Sequence, residues 1–160
     1  LNDLPEELRS SSAADLGRYL PGPTLIHLAG RREVPLFVSI LLHGNEDVGL
    51  RAVQQVLHEH AGRDLPRSMS LFVGNVAAAR ARVRRLDDQP DYNRVWPDGD
   101  EGRTAEHAMM RQVVAEMERR RVFASIDLHN NTGLNPHYAC VNRLESAHLQ
   151  LAALFSRTVV

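Results

Sequence analysis

The chain has 160 residues, of which 43% are hydrophobic and 24% are charged, and its net charge at pH 7 is −1. This length suffices for one domain with a sizeable core. A charge so close to zero gives no electrostatic reason to expect binding to nucleic acid or an anionic membrane, and no apolar run approaches membrane-spanning length. The single cysteine, Cys140, fits a reducing compartment, and we expect a cytoplasmic protein.

The two ends of the sequence indicate how the chain is organised. Residues 1–22 are largely polar and end at a Pro-Gly-Pro breaker, so we interpret them as a lead-in segment before a domain over residues 23–160. The chain starts at Leu1 rather than Met, and residues 158–160 resemble the start of a strand. We therefore expect it to be part of a longer polypeptide.

Hydrophobic patterning predicts alternating strands and helices along the domain. Strands are predicted over residues 24–28, 35–42, 70–74 and 122–128, with a further one over 137–141. Helices are predicted over 46–61, 104–120 and 144–157, whereas 76–97 reads as a surface loop rich in Arg, Asp and Pro. The apolar face of the first helix is predicted to contain Val48, Ala52, Val53, Val56 and Leu57. The pattern is typical of an α/β fold in which a mostly parallel or mixed central sheet is flanked by helices.

Two of the predicted strands end in side chains that bind metal ions. An H-G-N-E run from His43 to Glu46 follows the second predicted strand, and a D-L-H run from Asp127 to His129 closes the fourth. Open α/β sheets build their sites at these carboxyl ends. Two His and one Glu leave one zinc position open for water, as in catalytic zinc sites. The sequence therefore predicts one zinc ion per chain, bound by His43, Glu46 and His129, with Asp127 placed to orient a ligand or a neighbouring arginine.

A third segment, between the two metal motifs, is suited to binding a carboxylate. Asn93 and Arg94 stand next to each other, and a guanidinium can bind a carboxylate in bidentate fashion while an amide adds a donor. A separate arginine near the metal could stabilise the oxyanion of a tetrahedral intermediate. Four arginines precede Asn93 in this segment, namely Arg80, Arg82, Arg84 and Arg85. We expect a small-molecule substrate that bears a carboxylate.

Together, the three segments resemble the succinylglutamate desuccinylase/aspartoacylase branch of the zinc carboxypeptidase superfamily. The shared order is H-G-N-E, then G-N…R…D-x-N-R, then D-L-H-N, and the resemblance covers residues 35–142. It implies the N-terminal part of the catalytic domain of a zinc-dependent hydrolase that cleaves the amide bond of an N-acyl amino acid. It further implies that His43, Glu46 and His129 bind zinc, that Asn93 and Arg94 hold a substrate carboxylate, and that Asn130 contacts substrate.

Two features depart from the pattern of that family. Arg84 best matches its carbonyl-polarising arginine, but the stretch from Arg84 to Asn93 is about two residues longer than usual, so Arg82 or Arg85 could take this role. The general base of the family is a Glu on a later strand. Glu145 is the only carboxylate after His129 and comes too early, so we expect the base beyond residue 160.

Two other functions use the same residues. A zinc carboxypeptidase acting on peptides would use the same three ligands, and its Asn-Arg pair would bind a C-terminal carboxylate. A non-catalytic zinc-binding domain that lacks the base would bind zinc without turnover. In each case we expect no nucleic-acid or membrane partner, and the chain could form a homo-oligomer.

Overall fold

Strands and helices alternate along the chain in the computed structural model, which describes residues 4–97, 102–131 and 133–160. In chain order the strands and α-helices are β1 (Thr24–Leu28), β2 (Leu36–Ile40), α1 (Val48–Glu59), β3 (Met69–Val73), α2 (Val76–Ala81), α3 (Ala105–Arg119), β4 (Ala124–Asp127) and α4 (Ser146–Phe155). Short 3-10 helices cover Glu6–Arg9, Ala13–Arg18 and Tyr92–Arg94. By its contacts the chain divides into two units, one ending at Asn130 and the other running from Asn131 to Val160.

The four strands form one mixed sheet in the order β1-β3-β2-β4. β2 is parallel to both of its neighbours, so that Val38 lies opposite Leu71 of β3 and Ile126 of β4, whereas β1 is antiparallel to β3. The last four residues of β2 are all buried, as expected for an interior strand that is covered on both faces. The predicted α/β class with a mixed central sheet is therefore confirmed.

β4 differs from its prediction as a buried strand. It lies at one edge of the sheet among the strands that the structure describes, and Ser125 and Asp127 are exposed. An edge strand has only one hydrogen-bonded neighbour, so its apolar sequence does not guarantee burial. The predicted strand over residues 137–141 is reduced to a single bridge between Ala139 and Val159.

The lead-in segment contributes to the core on one face of the sheet. Three of its leucines, Leu8, Leu16 and Leu20, are buried and pack in one cluster with strand residues and with Leu50, Val53 and Leu57 of α1. This burial corrects the predicted face of α1, because Val48, Ala52 and Val56 are exposed. The helix is turned so that Gly49 meets Leu128, where a Cβ on Gly49 would lie 2.9 Å from the Leu128 Cβ.

The opposite face of the sheet is covered by α3. Met110 and Val113 of this helix are buried against Phe37 and Phe72 of the sheet. Tyr92 belongs to the same apolar cluster, so the buried ring fixes the 3-10 helix that contains Asn93 and Arg94. No helix in the described ranges is both long and apolar enough to cross a membrane.

The predicted surface loop over residues 76–97 contains more regular structure than expected. Its first six residues form α2, whose alanine-rich sequence favours a helix. The Asn75 side chain caps this helix by accepting a hydrogen bond from the Ala78 amide at 3.0 Å. Arg82 ends it in the left-handed conformation with φ 58°. The helix has only six residues, which is too short for a helical periodicity to be recognised in the sequence.

Glu116 on α3 is expected to make the stability of the fold depend on pH. Hydrogen bonds from Arg119 and Arg120 lower the pKa of Glu116 from 4.5 to about 2. Because the folded pKa lies below the unfolded one, the stabilisation is complete above pH 4.5 and is lost as the pH falls towards 2. Glu116→Gln should therefore lower the free energy of unfolding at pH 7 by about 1 kcal/mol or less, since these pairs are partly exposed.

Urea unfolding at pH 7 and at pH 2.5 tests this expectation. The destabilisation caused by Glu116→Gln should shrink at the lower pH. The matched control is Glu118→Gln, an exposed residue on the same helix, which should be neutral at both pH values. An equal loss of stability at both pH values would show that the Glu116 carboxylate charge is not the cause.

Candidate metal centre

The turn after β2 places His43 and Glu46 through an unusual backbone path. Leu41 adopts φ 55°, a left-handed conformation that costs a residue with a Cβ about 1–2 kcal/mol. His43, two residues later, is 2% exposed. The Gly44 amide then donates to the Arg84 carbonyl at 3.0 Å. The turn is thus held in a strained and buried conformation, as is common at functional sites.

Gly44 is required by the close approach of this turn to α2. A Cβ on Gly44 would lie 2.2 Å from the Ala78 carbonyl carbon and 2.2 Å from the Ala79 nitrogen. Both are backbone atoms, so neither can move aside as a flexible side chain could. The H-G-N-E sequence therefore needs glycine at its second position for packing, in addition to any freedom of φ and ψ.

The structure brings His43, Glu46 and His129 into one cluster. Their candidate ligand atoms all lie within 4.8 Å of one another. His43 Nδ1 lies 2.8 Å from Glu46 Oε1, and His129 Nδ1 lies 2.8 Å from Glu46 Oε2. The two imidazole rings are adjacent, with centroids 4.9 Å apart. Each histidine therefore directs the same ring nitrogen, Nδ1, towards the carboxylate of Glu46.

The outer nitrogen of each imidazole meets a second carboxylate. His43 Nε2 lies 2.9 Å from Asp91 Oδ1, and His129 Nε2 lies 2.5 Å from Asp127 Oδ2. The buried Ser39 hydroxyl donates to the other oxygen of Asp127 at 2.7 Å. Carboxylates placed in this way fix the tautomer and orientation of histidines that bind metals.

These hydrogen bonds also shift the pKa values of His129 and Asp91. The hydrogen bond to Asp127 raises the pKa of His129 above 6.5, against the lowering effect of burial. Burial raises the pKa of Asp91, but hydrogen bonds from His43, Arg84 and the Asn93 amide outweigh it and hold the pKa at about 2. Asp91 is therefore a carboxylate at any physiological pH.

The donor set fits a zinc ion. Ligands at about 2.0–2.1 Å from a tetrahedral zinc lie about 3.4 Å from one another, which is compatible with atoms that already gather within 4.8 Å. Two imidazole nitrogens and one carboxylate oxygen are a typical donor set for catalytic zinc. The outer carboxylates on both imidazoles satisfy the additional hydrogen bonds that such a site needs.

Among the candidate arginines, Arg84 lies beside this cluster. Its Nη1 is 3.6 Å from Glu46 Oε1, and its Nη2 donates to Asp91 Oδ2 at 3.0 Å. Arg85 instead donates to the carbonyls of Leu86 and Gln89, at 3.4 and 2.8 Å, and so supports its own loop. Arg82 caps α2 in the left-handed conformation. The sequence left Arg82, Arg84 and Arg85 as alternatives for polarising the substrate carbonyl. Of these three, only Arg84 has its guanidinium beside the candidate ligands.

The predicted carboxylate clamp starts two residues after Asp91. The Asn93 amide donates to Asp91 Oδ1 at 2.9 Å, which connects the clamp directly to the partner of His43. The exposed Arg94 has one described side-chain hydrogen bond, from Nη1 to the Asn93 carbonyl at 3.3 Å. The other N–H groups of its guanidinium are therefore available to bind an anion.

Asn130 contacts the cluster with its backbone as well as its side chain. Its amide donates to Glu46 Oε2 at 3.1 Å, and its Oδ1 accepts from the Val48 amide at 3.3 Å. These two bonds hold Glu46 and the first turn of α1 together. Contact between Asn130 and a substrate stays a prediction.

Two residues that support the candidate ligands are absent from the predicted site. Asp91 contacts His43, and Ser39 contacts Asp127. Asp91 could have been found from its place two residues before Asn93, within the D-x-N-R motif. Ser39 gives one weaker signal, a polar residue in the middle of a buried parallel strand.

Comparisons with known proteins identify the family and the fold of the chain. The succinylglutamate desuccinylase/aspartoacylase catalytic domain matches residues 36–158. The fold is similar to a succinylglutamate desuccinylase from Vibrio cholerae, with a TM-score of 0.58 and 13% identity over 84% of this chain and 48% of that one. It is also similar to one from Vibrio parahaemolyticus, with a TM-score of 0.53 and 17% identity over 68% of this chain and 40% of that one.

The chain therefore spans less than half the length of either of these two structures. Comparison with curated proteins gives no match. The domain match nevertheless extends over more than half of the chain and includes every residue of the candidate metal cluster. The chain belongs to the succinylglutamate desuccinylase/aspartoacylase family.

Proposed function

We propose that this chain is the zinc-binding part of a hydrolase that cleaves the amide bond of an N-acyl amino acid. The observation that carries the proposal is the convergence of His43, Glu46 and His129, with a carboxylate on the outer nitrogen of each imidazole. Family membership supports a deacylase-type hydrolase. The names of the two similar structures make N-succinylglutamate the first substrate to test. A cytoplasmic location stays a prediction.

The residues of the cluster have distinct tasks in this proposal. His43, Glu46 and His129 would hold zinc, which supplies Lewis acidity that polarises a carbonyl and makes water nucleophilic at neutral pH. Asp91 keeps His43 oriented, and Asp127, itself held by Ser39, does the same for His129. Such positioning lowers the cost of ordering the reacting groups.

Arg84 would stabilise negative charge that develops on the substrate carbonyl. Its guanidinium is held by Asp91 and is about half exposed, so it keeps donors available beside Glu46. Fixed donors at such a position stabilise an oxyanion without reorganising during the reaction. Asn93 and Arg94 would bind the carboxylate of the amino acid and so align the scissile amide.

Replacing Arg94 with Ala is expected to raise KM for N-acyl amino acids by about 10- to 100-fold and to change kcat little, because a hydrogen bond to a charged group contributes about 1.5–3 kcal/mol. Initial rates of amine release over a range of substrate concentrations measure both constants. Arg31→Ala, an exposed arginine after β1, is the control for loss of one positive charge. An unchanged KM for Arg94→Ala would remove Arg94 from the clamp.

The choice between a deacylase and a carboxypeptidase depends on the substrate. The natural protein, loaded with zinc, should release free amine from N-succinylglutamate and other N-acyl amino acids faster than it releases C-terminal residues from peptides. The reverse preference would favour the carboxypeptidase alternative.

The non-catalytic alternative differs from the hydrolase in turnover. Glu145 is the only carboxylate after His129 in these 160 residues. It is exposed and lies 3.6 Å from both Arg143 and His148. Glu145 therefore belongs to a surface ion pair. The proposed reaction needs a different residue as its general base. Stoichiometric zinc without turnover of either substrate class would support a binding domain.

A further inference from the structure

Gln89 closes the turn that leads into Asp91. The Gln89 amide donates to the Leu86 carbonyl at 3.1 Å, and Arg85 Nη1 donates to the Gln89 carbonyl at 2.8 Å. The side-chain oxygen, Oε1, accepts hydrogen bonds from Asn75 Nδ2 at 2.9 Å and from the Leu86 amide at 3.4 Å. One amide oxygen therefore ties this turn to the residue that follows β3 and Gly74.

Asn75 is a rigid anchor for that oxygen. It is 1% exposed, its amide donates to the Leu41 carbonyl, and its Oδ1 caps α2 through the Ala78 amide. Its Nδ2 has the Gln89 oxygen as its described acceptor. A buried amide donor strongly favours keeping such a partner, because leaving it unpaired is costly. The hydrogen bond from the buried Asn75 side chain therefore fixes the position of the Gln89 side chain.

The connection from Gln89 to the metal cluster is short and stiff. Pro90 has a fixed φ and restricts the residue before it to extended conformations. Asp91 follows at once, with Oδ1 2.9 Å from His43 Nε2 and Oδ2 accepting from Arg84 Nη2 at 3.0 Å. A displacement of Gln89 is therefore transmitted to the carboxylate that holds both His43 and Arg84.

We propose that Gln89 is a positioning residue of the metal centre, which acts through Asp91 to orient His43 and Arg84. The inference rests on the proposed function, because it assumes that the cluster binds zinc. Among the described contacts, none joins Gln89 to the three candidate ligands, so its effect depends on the Asn75–Gln89–Asp91 connection.

Zinc affinity, measured by competition with a chromophoric chelator, tests the proposal. Gln89→Leu removes the acceptor, and we expect zinc affinity to fall about tenfold, as for other outer groups that orient metal ligands. Gln89→Glu keeps an oxygen that can accept from Asn75 and should bind zinc nearly as the wild type does. Asp88→Ala, an exposed residue in the same loop, is the matched control and should have no effect.

A second readout follows His43 directly and needs no bound metal. After removal of zinc, the imidazole nitrogen shifts of His43 should change in Gln89→Leu and stay near the wild-type values in Gln89→Glu. If Gln89→Leu loses its fold by circular dichroism, Gln89→Ser, which is too short to reach Asn75, replaces it in both measurements.

The inference would be overturned if Gln89→Leu, or Gln89→Ser in its place, bound zinc as tightly as the wild type and also gave the wild-type His43 signals. If the wild type itself binds no zinc, the proposed function fails, while the His43 signals still decide whether Gln89 positions Asp91. The two failures are therefore distinguishable.

Discussion

His129→Ala is expected to abolish zinc retention. The wild-type protein should purify with about one zinc ion per chain. The variant should bind zinc more than 100-fold more weakly, because loss of an outer hydrogen-bond partner alone costs about 10- to 100-fold. The physical reason is that, of the three candidate ligands, only His129 follows β4, whereas His43 and Glu46 come from a single turn. Two ligands from one turn leave the ion half coordinated.

Metal analysis by mass spectrometry after gel filtration measures this loss. His58→Ala is the matched control, because His58 is an exposed histidine near the end of α1 and should not affect zinc content. Circular dichroism should show the same helical content in both variants. Stoichiometric zinc in His129→Ala would prove the ligand assignment wrong.

Gly44→Ala is expected to destabilise the fold by about 3 kcal/mol or more. Ordinary overpacking costs about 1–3 kcal/mol because neighbouring side chains can shift. Here the added Cβ would lie 2.2 Å from backbone atoms of Ala78 and Ala79. Relief therefore requires α2 and the His43–Glu46 turn to separate, so we expect zinc binding to weaken together with stability.

Urea unfolding and zinc competition, performed on the same preparation, test both effects. Gly22→Ala is the control, because nothing lies within 4 Å of the position that its Cβ would take. The control should unfold within about 0.5 kcal/mol of the wild type, as is usual for substitutions away from packed features. Wild-type stability of Gly44→Ala would mean that the turn does not pack on α2 as described.

The sequence by itself determined the class of the fold and indicated the candidate ligands of its metal site. Apolar runs of strand length that alternate with amphipathic helices leave few arrangements other than a layered α/β fold. His43, Glu46 and His129 were recognisable because ligand-type side chains directly follow such runs, where strand ends form sites. These features depend on local residue types and spacing, which a sequence displays directly.

The tertiary structure alone decided which further side chains surround these three candidate ligands. Asp91 and Ser39 became visible as partners of His43 and Asp127 only through contacts across 48 and 88 residues. In the same way, packing rather than periodicity turned Gly49 of α1 towards Leu128 and left Val48 exposed. These contacts depend on where segments far apart in the chain meet in the folded protein. A local sequence pattern carries no information about such long-range contacts.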